Sequence, residues 1–280
     1  MLRVSRHGPV TRLALSSRAS RLVGYAVSAY LVDTACGPVL VDTGFPRAWR
    51  DLAGYLRDRG GGDLRRAVRG ALVTHQHEDH AGNAAALAAA GVPLAMADAT
   101  RAAIGHVPPP GFYRDFTWGR MAAVPAGAPA FDPAPLALVP TPGHSPDHHA
   151  VWDAARETLF GGDLFIGVRV RVAHPGEDLR ALARSLRAAA ALRPRHFFDA
   201  HRGPVARPAE ALAAKAGWVE GTVARVEALL ARGWSERRVR RAVLGREEFA
   251  GYASFGHYSR ANFVRAVRAD GGGPPAASPG

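Results

Sequence analysis

The chain has 280 residues, 48% apolar and 21% charged, which fits a soluble globular protein and excludes disorder, collagen-like repeats and coiled coil. No apolar run reaches the roughly 18 residues of a spanning helix, and the single cysteine, Cys36, excludes an internal disulfide and a Cys-rich zinc ribbon. The formal charge of +12, carried by basic residues of which only Lys215 is lysine, reads first as a solvated basic face and second as an attraction for nucleic acid or anionic substrates.

In chain order, segments 10–15 and 22–33 read as strands rich in Val, Leu and Tyr. The apolar run at 22–32 is read as a strand rather than a signal-peptide core, because Asp33 follows at once. With one cysteine and no export signal recognised, the expected compartment is the cytoplasm. Segment 39–41 is a short buried strand ending at Asp42-Thr43-Gly44. Pro46 opens a helix carrying Trp49, Leu52 and Leu56, stopped by Gly60-Gly61-Gly62. Segment 67–74 reads as a strand, 83–90 as an alanine-rich helix ended by Gly91, and 92–96 as a strand.

Segment 105–135 is rich in Gly and Pro, with Phe112, Tyr113, Phe116 and Trp118, and reads as a long loop or lid. Strands recur at 136–140, 149–152, 158–160 and 196–199. A helix over 178–192 aligns Leu179, Leu182, Leu186 and Ala190. From 208 to 268 the pattern is helical. Leu212, Val219, Val223, Val226 and Leu230 form one stripe, Val239 and Val243 another, Phe263 and Val267 a third. The expected organisation is a catalytic domain over 1–205, a C-terminal helical segment over 206–269 and a disordered tail over 270–280.

The histidines cluster. Residues 73–83 read Val-Thr-His-Gln-His-Glu-Asp-His-Ala-Gly-Asn, a His-x-His-x-Asp-His pattern between a buried strand and a helix. A loop leaving a strand can turn alternate side chains to one point, so His75 and His77 can share one metal while Asp79 and His80 face another. Three more segments follow strands: Pro-Thr-Pro-Gly-His-Ser with His144, Gly-Gly-Asp-Leu with Asp163, and Asp-Ala-His-Arg-Gly-Pro with His201. Five imidazoles and two carboxylates make a nitrogen/oxygen donor set suited to zinc, with iron or manganese as alternatives.

In these motifs and their order the sequence resembles the metallo-β-lactamase superfamily. The resemblance covers about residues 22–205 and implies an α/β fold, a four-layer αββα sandwich with a small C-terminal helical segment. It implies that His75, His77 and His144 bind one metal, that Asp79, His80 and His201 bind a second, and that Asp163 bridges both. Asp42, in Val-Asp-Thr-Gly-Phe, would support the ligands from behind, and His148 would orient them by hydrogen bonding. Asp147 stands where the family usually has glycine. His7, His106, His174 and His196 are taken as structural, and His257 and Tyr258 as the start of a helix.

The implied activity is that of a binuclear zinc hydrolase in which a metal-bridging hydroxide attacks an ester-type carbonyl, with Asp79 ligating a metal and positioning the nucleophile or taking up its proton. A carboxylate at position 163 resembles the glyoxalase-II-like and lactonase-like branches. The helices over 208–268 resemble the appended region of hydroxyacylglutathione-hydrolase-like proteins, without a convincing glutathione-binding pattern. A thioester or lactone leads. A phosphodiesterase or nuclease of the same fold comes next, favoured by the charge and opposed by the short step from His144 to Asp163. A mononuclear-iron sulfur dioxygenase is third, and a non-catalytic metal- or DNA-binding protein using the arginines at 235–243 is last. The expected partner is a small-molecule substrate, with no specific nucleic acid and no membrane; oligomeric state is left open.

Overall fold

The computed structural model describes residues 1–22, 24–107 and 111–269, with the side chains of all but Ala250 and Ala269. The tail expected to be disordered, 270–280, lies outside the described residues. Within them, β1 (Leu2–His7), β2 (Val10–Leu15), β3 (Val27–Thr34), β4 (Gly37–Val41), β5 (Gly70–Leu72) and β6 (Leu94–Ala95) form one sheet in that order. The second sheet runs β7 (Leu136–Pro140), β8 (His149–Asp153), β9 (Thr158–Phe160), β10 (His196–Asp199) and β11 (Gly203–Pro204). β1 to β4 are antiparallel neighbours, while β4, β5 and β6 pair in parallel, as do β9 and β10.

The helices that follow or interrupt the first sheet are α1 (Arg18–Leu22), α2 (Trp49–Arg59), α3 (Leu64–Ala67), α4 (Glu78–Ala81), α5 (Ala84–Ala89), α6 (Asp98–Gly105) and α7 (Phe112–Trp118). With the second sheet go α8 (Leu179–Ala191), α9 (Pro208–Ala231), α10 (Glu236–Val243), α11 (Phe249–Ala253) and α12 (Arg260–Ala269).

Period-two alternation builds the layers, because successive strand side chains point to opposite faces. Tyr30, Val32, Val39, Val41 and Leu72 meet Val151, Phe160 and Phe198 between the two sheets. The other parity, Ala29, Leu31 and Leu40, packs with Leu52, Leu56 and Leu87 of the helices outside. Across the molecule Ala150, Leu159 and Phe197 pack with Leu182 and Leu186 of α8 and Leu212 and Val219 of α9. The result is a four-layer αββα sandwich. Val239 of α10 and Phe263 and Val267 of α12 join that last core, so the C-terminal helices and the second sheet share one apolar layer.

Some boundaries differ from the sequence reading. β1 is an additional strand whose side chains past Leu2 are exposed, so it carries no hydrophobic period to detect. The strand read over 22–33 begins at Val27, after α1 and a left-handed turn at Gly24, φ +68°. The strand read over 67–74 is only Gly70–Leu72; α3 precedes it, capped by Asp63 accepting from the Arg65 N–H. The lid read over 105–135 contains a helix, α7, ended by Gly119 at φ +87°.

Lys215, 2% exposed, ties α9 to the second sheet. Its ammonium donates to the carbonyls of Leu164, at 2.9 Å, and Phe165, immediately after Asp163. Burial pulls its pKa down to about 8. The unfolded chain keeps the ordinary lysine value, so between about pH 8 and 10 it holds a proton that the folded chain has begun to release. The stability attributable to Lys215 therefore rises with pH across that window, by about 1 kcal/mol per pH unit. Melting curves of wild type and Lys215→Met at those pH values check this: the variant is expected to lack that part of the slope.

Candidate metal centre

Strand ends assemble the site. β5 delivers Thr74, His75 and His77, and the first turn of α4 adds Asp79 and His80. Asp42 follows β4, His144 the turn after β7, Asp163 the turn after β9 and His201 the turn after β10. Two of these turns need glycine. At Gly143, φ +139°, a Cβ would sit 2.3 Å from the Leu182 nitrogen, and at Gly162, φ +50°, one would sit 2.8 Å from His148 Nε2.

The donor atoms form two groups that meet at Asp163. In the first, His77 Nδ1 lies 3.1 Å from His75 Nε2 and 3.0 Å from His144 Nε2, and His144 Nε2 lies 3.3 Å from Asp163 Oδ2. In the second, His80 Nε2 is 3.3 Å from Asp79 Oδ2 and 3.1 Å from Asp163 Oδ1. His201 Nε2 is 2.8 Å from Asp163 Oδ1 and 3.9 Å from Asp79 Oδ2. Within each group the four ligand atoms lie within 4.8 Å of one another.

Surrounding hydrogen bonds aim the lone pairs inward. Asp42 accepts from the Thr74 N–H and from His80 Nδ1 at 2.7 Å, which leaves His80 Nε2 facing Asp79 and Asp163. The Thr74 hydroxyl donates to Asp42 and can accept from His75 Nδ1 at 3.1 Å, turning His75 Nε2 inward. Glu177 accepts from His144 Nδ1 at 3.0 Å, and the Ala26 carbonyl accepts from His201 Nδ1 at 3.2 Å. His148 accepts the Asp163 N–H at Nε2, so its Nδ1 donates to Thr141 Oγ1. The Tyr25 hydroxyl donates to Asp79. Such partners set tautomer and ring orientation, the usual support for metal-binding imidazoles.

The donor set fits a metal. His80 Nε2 and Asp163 Oδ1 are buried and without a hydrogen-bond partner, although unpaired buried polar atoms are costly. Three imidazole nitrogens of the first group converge with no hydrogen-bond donor from another residue between them. Burial pushes His75 and His77 well below the ordinary histidine range and takes His148 down to about 3. Burial also opposes charge on His201, but Asp163 outweighs it and raises that pKa to about 9. Burial tends to raise the Asp163 carboxyl, and His201 and His80 more than offset it and hold it well below the usual carboxylate range.

Replacing Asp42 by Asn removes the carboxylate that fixes His80. Metal affinity is expected to fall by about 10- to 100-fold, measured by competition with a chromophoric chelator.

All seven residues named from the motifs come together, with Asp42 and His148 directly behind them. Asp147, in place of the usual glycine, is buried and accepts from the Gln76 N–H and the Ser145 hydroxyl, tying the His144 turn to the His75 loop. His7, His106 and His196 belong to neither group. His174, taken as structural, packs its ring on His77 and His144 and forms a third donor cluster with His144 and Glu177. Tyr258, taken as a helix start, precedes α12 and packs on His174, centroids 4.0 Å apart. Tyr25 and Glu177 were not anticipated, since each reaches the centre from a segment without a motif.

A four-layer sandwich with a His/Asp cluster at its strand ends defines a metal-binding α/β protein. The family profile described as the metallo-beta-lactamase superfamily matches residues 22–198, and the chain belongs to that superfamily of metal-dependent hydrolases. Among curated proteins it is 31% identical over 189 residues to "Thioesterase pkgB" of Emericella nidulans, covering 64% of this chain and 49% of that protein. It is 27% identical over 202 residues to a beta-lactamase-like protein 2 homolog of Caenorhabditis elegans, covering 68% and 63%. The chain thus spans about half of the first and less than two thirds of the second. Among solved structures, a metallo-beta-lactamase family protein of Thermus thermophilus superposes with a TM-score of 0.65 at 20% identity, covering 96% of this chain and 97% of that one. A beta-lactamase domain protein of Burkholderia ambifaria gives 0.67 at 20% identity, covering 96% and 89%. These two likenesses show the fold. No helix among the described residues is long and apolar enough to cross a membrane.

Proposed function

We propose that the protein is a binuclear zinc hydrolase of ester-type carbonyls, with thioesters ahead of lactones and iron or manganese as alternative metals. The observation that carries this reading is Asp163, which presents Oδ2 to the first donor group and Oδ1 to the second. Two zinc ions held there would lower the pKa of a water bound between them and polarise the scissile carbonyl. His75, His77 and His144 would hold one ion, Asp79, His80 and His201 the other. Burial tends to raise the pKa of Asp79, but His80 overrides it and lowers it below the usual range. Asp79 would ligate the second ion and position the attacking water or take up its proton. Tyr25 fixes the Asp79 carboxylate from behind.

The thioesterase name of the Emericella relative supports the thioester class. The second reading, a phosphodiesterase, is favoured by the +12 charge and by exposed Arg237, Arg238 and Arg241 on α10. Turnover of a thioester, a lactone and a phosphodiester by the zinc-loaded protein tests the choice. The thioester is expected to be cleaved fastest; phosphodiester cleavage alone would overturn the proposal.

A further inference from the structure

Beside the metal centre lies a recess of about 190 Å³ between α7 and the segment after α11, lined by Phe112, Tyr113, Arg114, Phe255 and His257 among others. Its lining adjoins side chains that pack against the donor groups. Arg114 bonds in bidentate fashion to Glu78, the residue between His77 and Asp79. Tyr258, next to His257, packs on His174, which stands on His77 and His144 with centroids 5.4 and 5.5 Å away.

The lining selects against charge. The Arg114 guanidinium is matched by the Glu78 carboxylate and lies 5.3 Å over the Trp118 ring. No carboxylate lines the recess among the described residues. What remains is mostly aromatic, and it is uncovered: Phe112 and Phe255 are each 76% exposed, with Phe116 stacked beside Phe112. Phe255 also sits at φ +51°, a left-handed conformation that residues with a Cβ rarely adopt. Its exposed ring gains little packing to offset that strain. Strain retained without a packing gain is a mark of ligand-binding positions.

We propose that this recess binds the apolar acyl group of the scissile ester or thioester. The proposal rests on the ester-type reading above. The acyl chain is the part that fits, because it starts at the reacting carbonyl and is uncharged, whereas the thiol carriers of biological thioesters are polar.

The test is a series of N-acetylcysteamine thioesters from acetyl to hexanoyl. Burying one methylene corresponds to about a three- to fourfold gain, so over the four methylenes between acetyl and hexanoyl kcat/KM is expected to rise by on the order of 100-fold. Phe112→Ala and Phe255→Gly are each expected to cut the hexanoyl-to-acetyl ratio by about 10-fold. Phe255→Gly should do so without lowering the melting temperature, since glycine accepts the left-handed backbone. Equal kcat/KM for acetyl and hexanoyl thioesters in the wild type, or a ratio unchanged in both variants, would overturn the proposal. If no thioester is cleaved, the ester-type reading fails by itself. Calorimetry with the S-ethyl and S-hexyl thioethers of N-acetylcysteamine then decides the recess: tighter hexyl binding, reduced in Phe255→Gly, supports it, and equal or absent binding refutes it.

Discussion

Asp163→Asn is expected to bind one metal ion per chain where the wild type is expected to bind two, and to lose turnover by about 10³-fold or more. The carboxylate is 2% exposed and gives one oxygen to each donor group, so it serves both positions at once. An amide removes the shared negative charge and replaces one oxygen by an N–H donor. That N–H would face either the position lined by His144 or the one lined by His80 and His201, and it offers no lone pair to an ion there. One metal position is therefore lost whichever way the amide turns. The backbone should hold, because the Asp163 N–H still reaches His148 and Lys215 still binds the carbonyls that follow. Elemental analysis and thioester turnover on the same preparation check both parts. Two metals retained in the variant would remove the bridging assignment.

Asp79→Asn separates the two groups. Asp79 belongs only to the second, so the variant is expected to keep the ion held by His75, His77 and His144 while turnover falls by about 10²–10⁴-fold. The Tyr25 hydroxyl that now donates to Asp79 can still donate to an asparagine oxygen, so local structure should persist. Full activity in Asp79→Asn would show that this carboxylate does not position the nucleophile.

The donor residues were legible because each sits within a few residues of an apolar strand, where loops must gather at one edge of a sandwich. Spacing inside His-x-His-x-Asp-His suggests that His75 and His77 face one point while Asp79 and His80 face another, and the donor atoms group in the same way. The alternating strands were legible for the same reason that they pack, since Leu40 and Val41 go to opposite cores. β1 was not, because an edge strand with exposed Arg3, Ser5 and Arg6 has no buried face to reveal it. Tyr25 and Tyr258 were not, because a single aromatic side chain arriving from a distant turn leaves no periodicity. Glu177 and His174 belong to a loop between a strand and α8, and only the fold brings them to His144.

Two donor groups sharing Asp163 are expected to hold two ions in one chain. Elemental analysis of the purified protein tests it most directly. Close to two metal ions per chain, mainly zinc, is the expected result; one iron per chain would contradict a binuclear hydrolase and point to a mononuclear-iron dioxygenase instead.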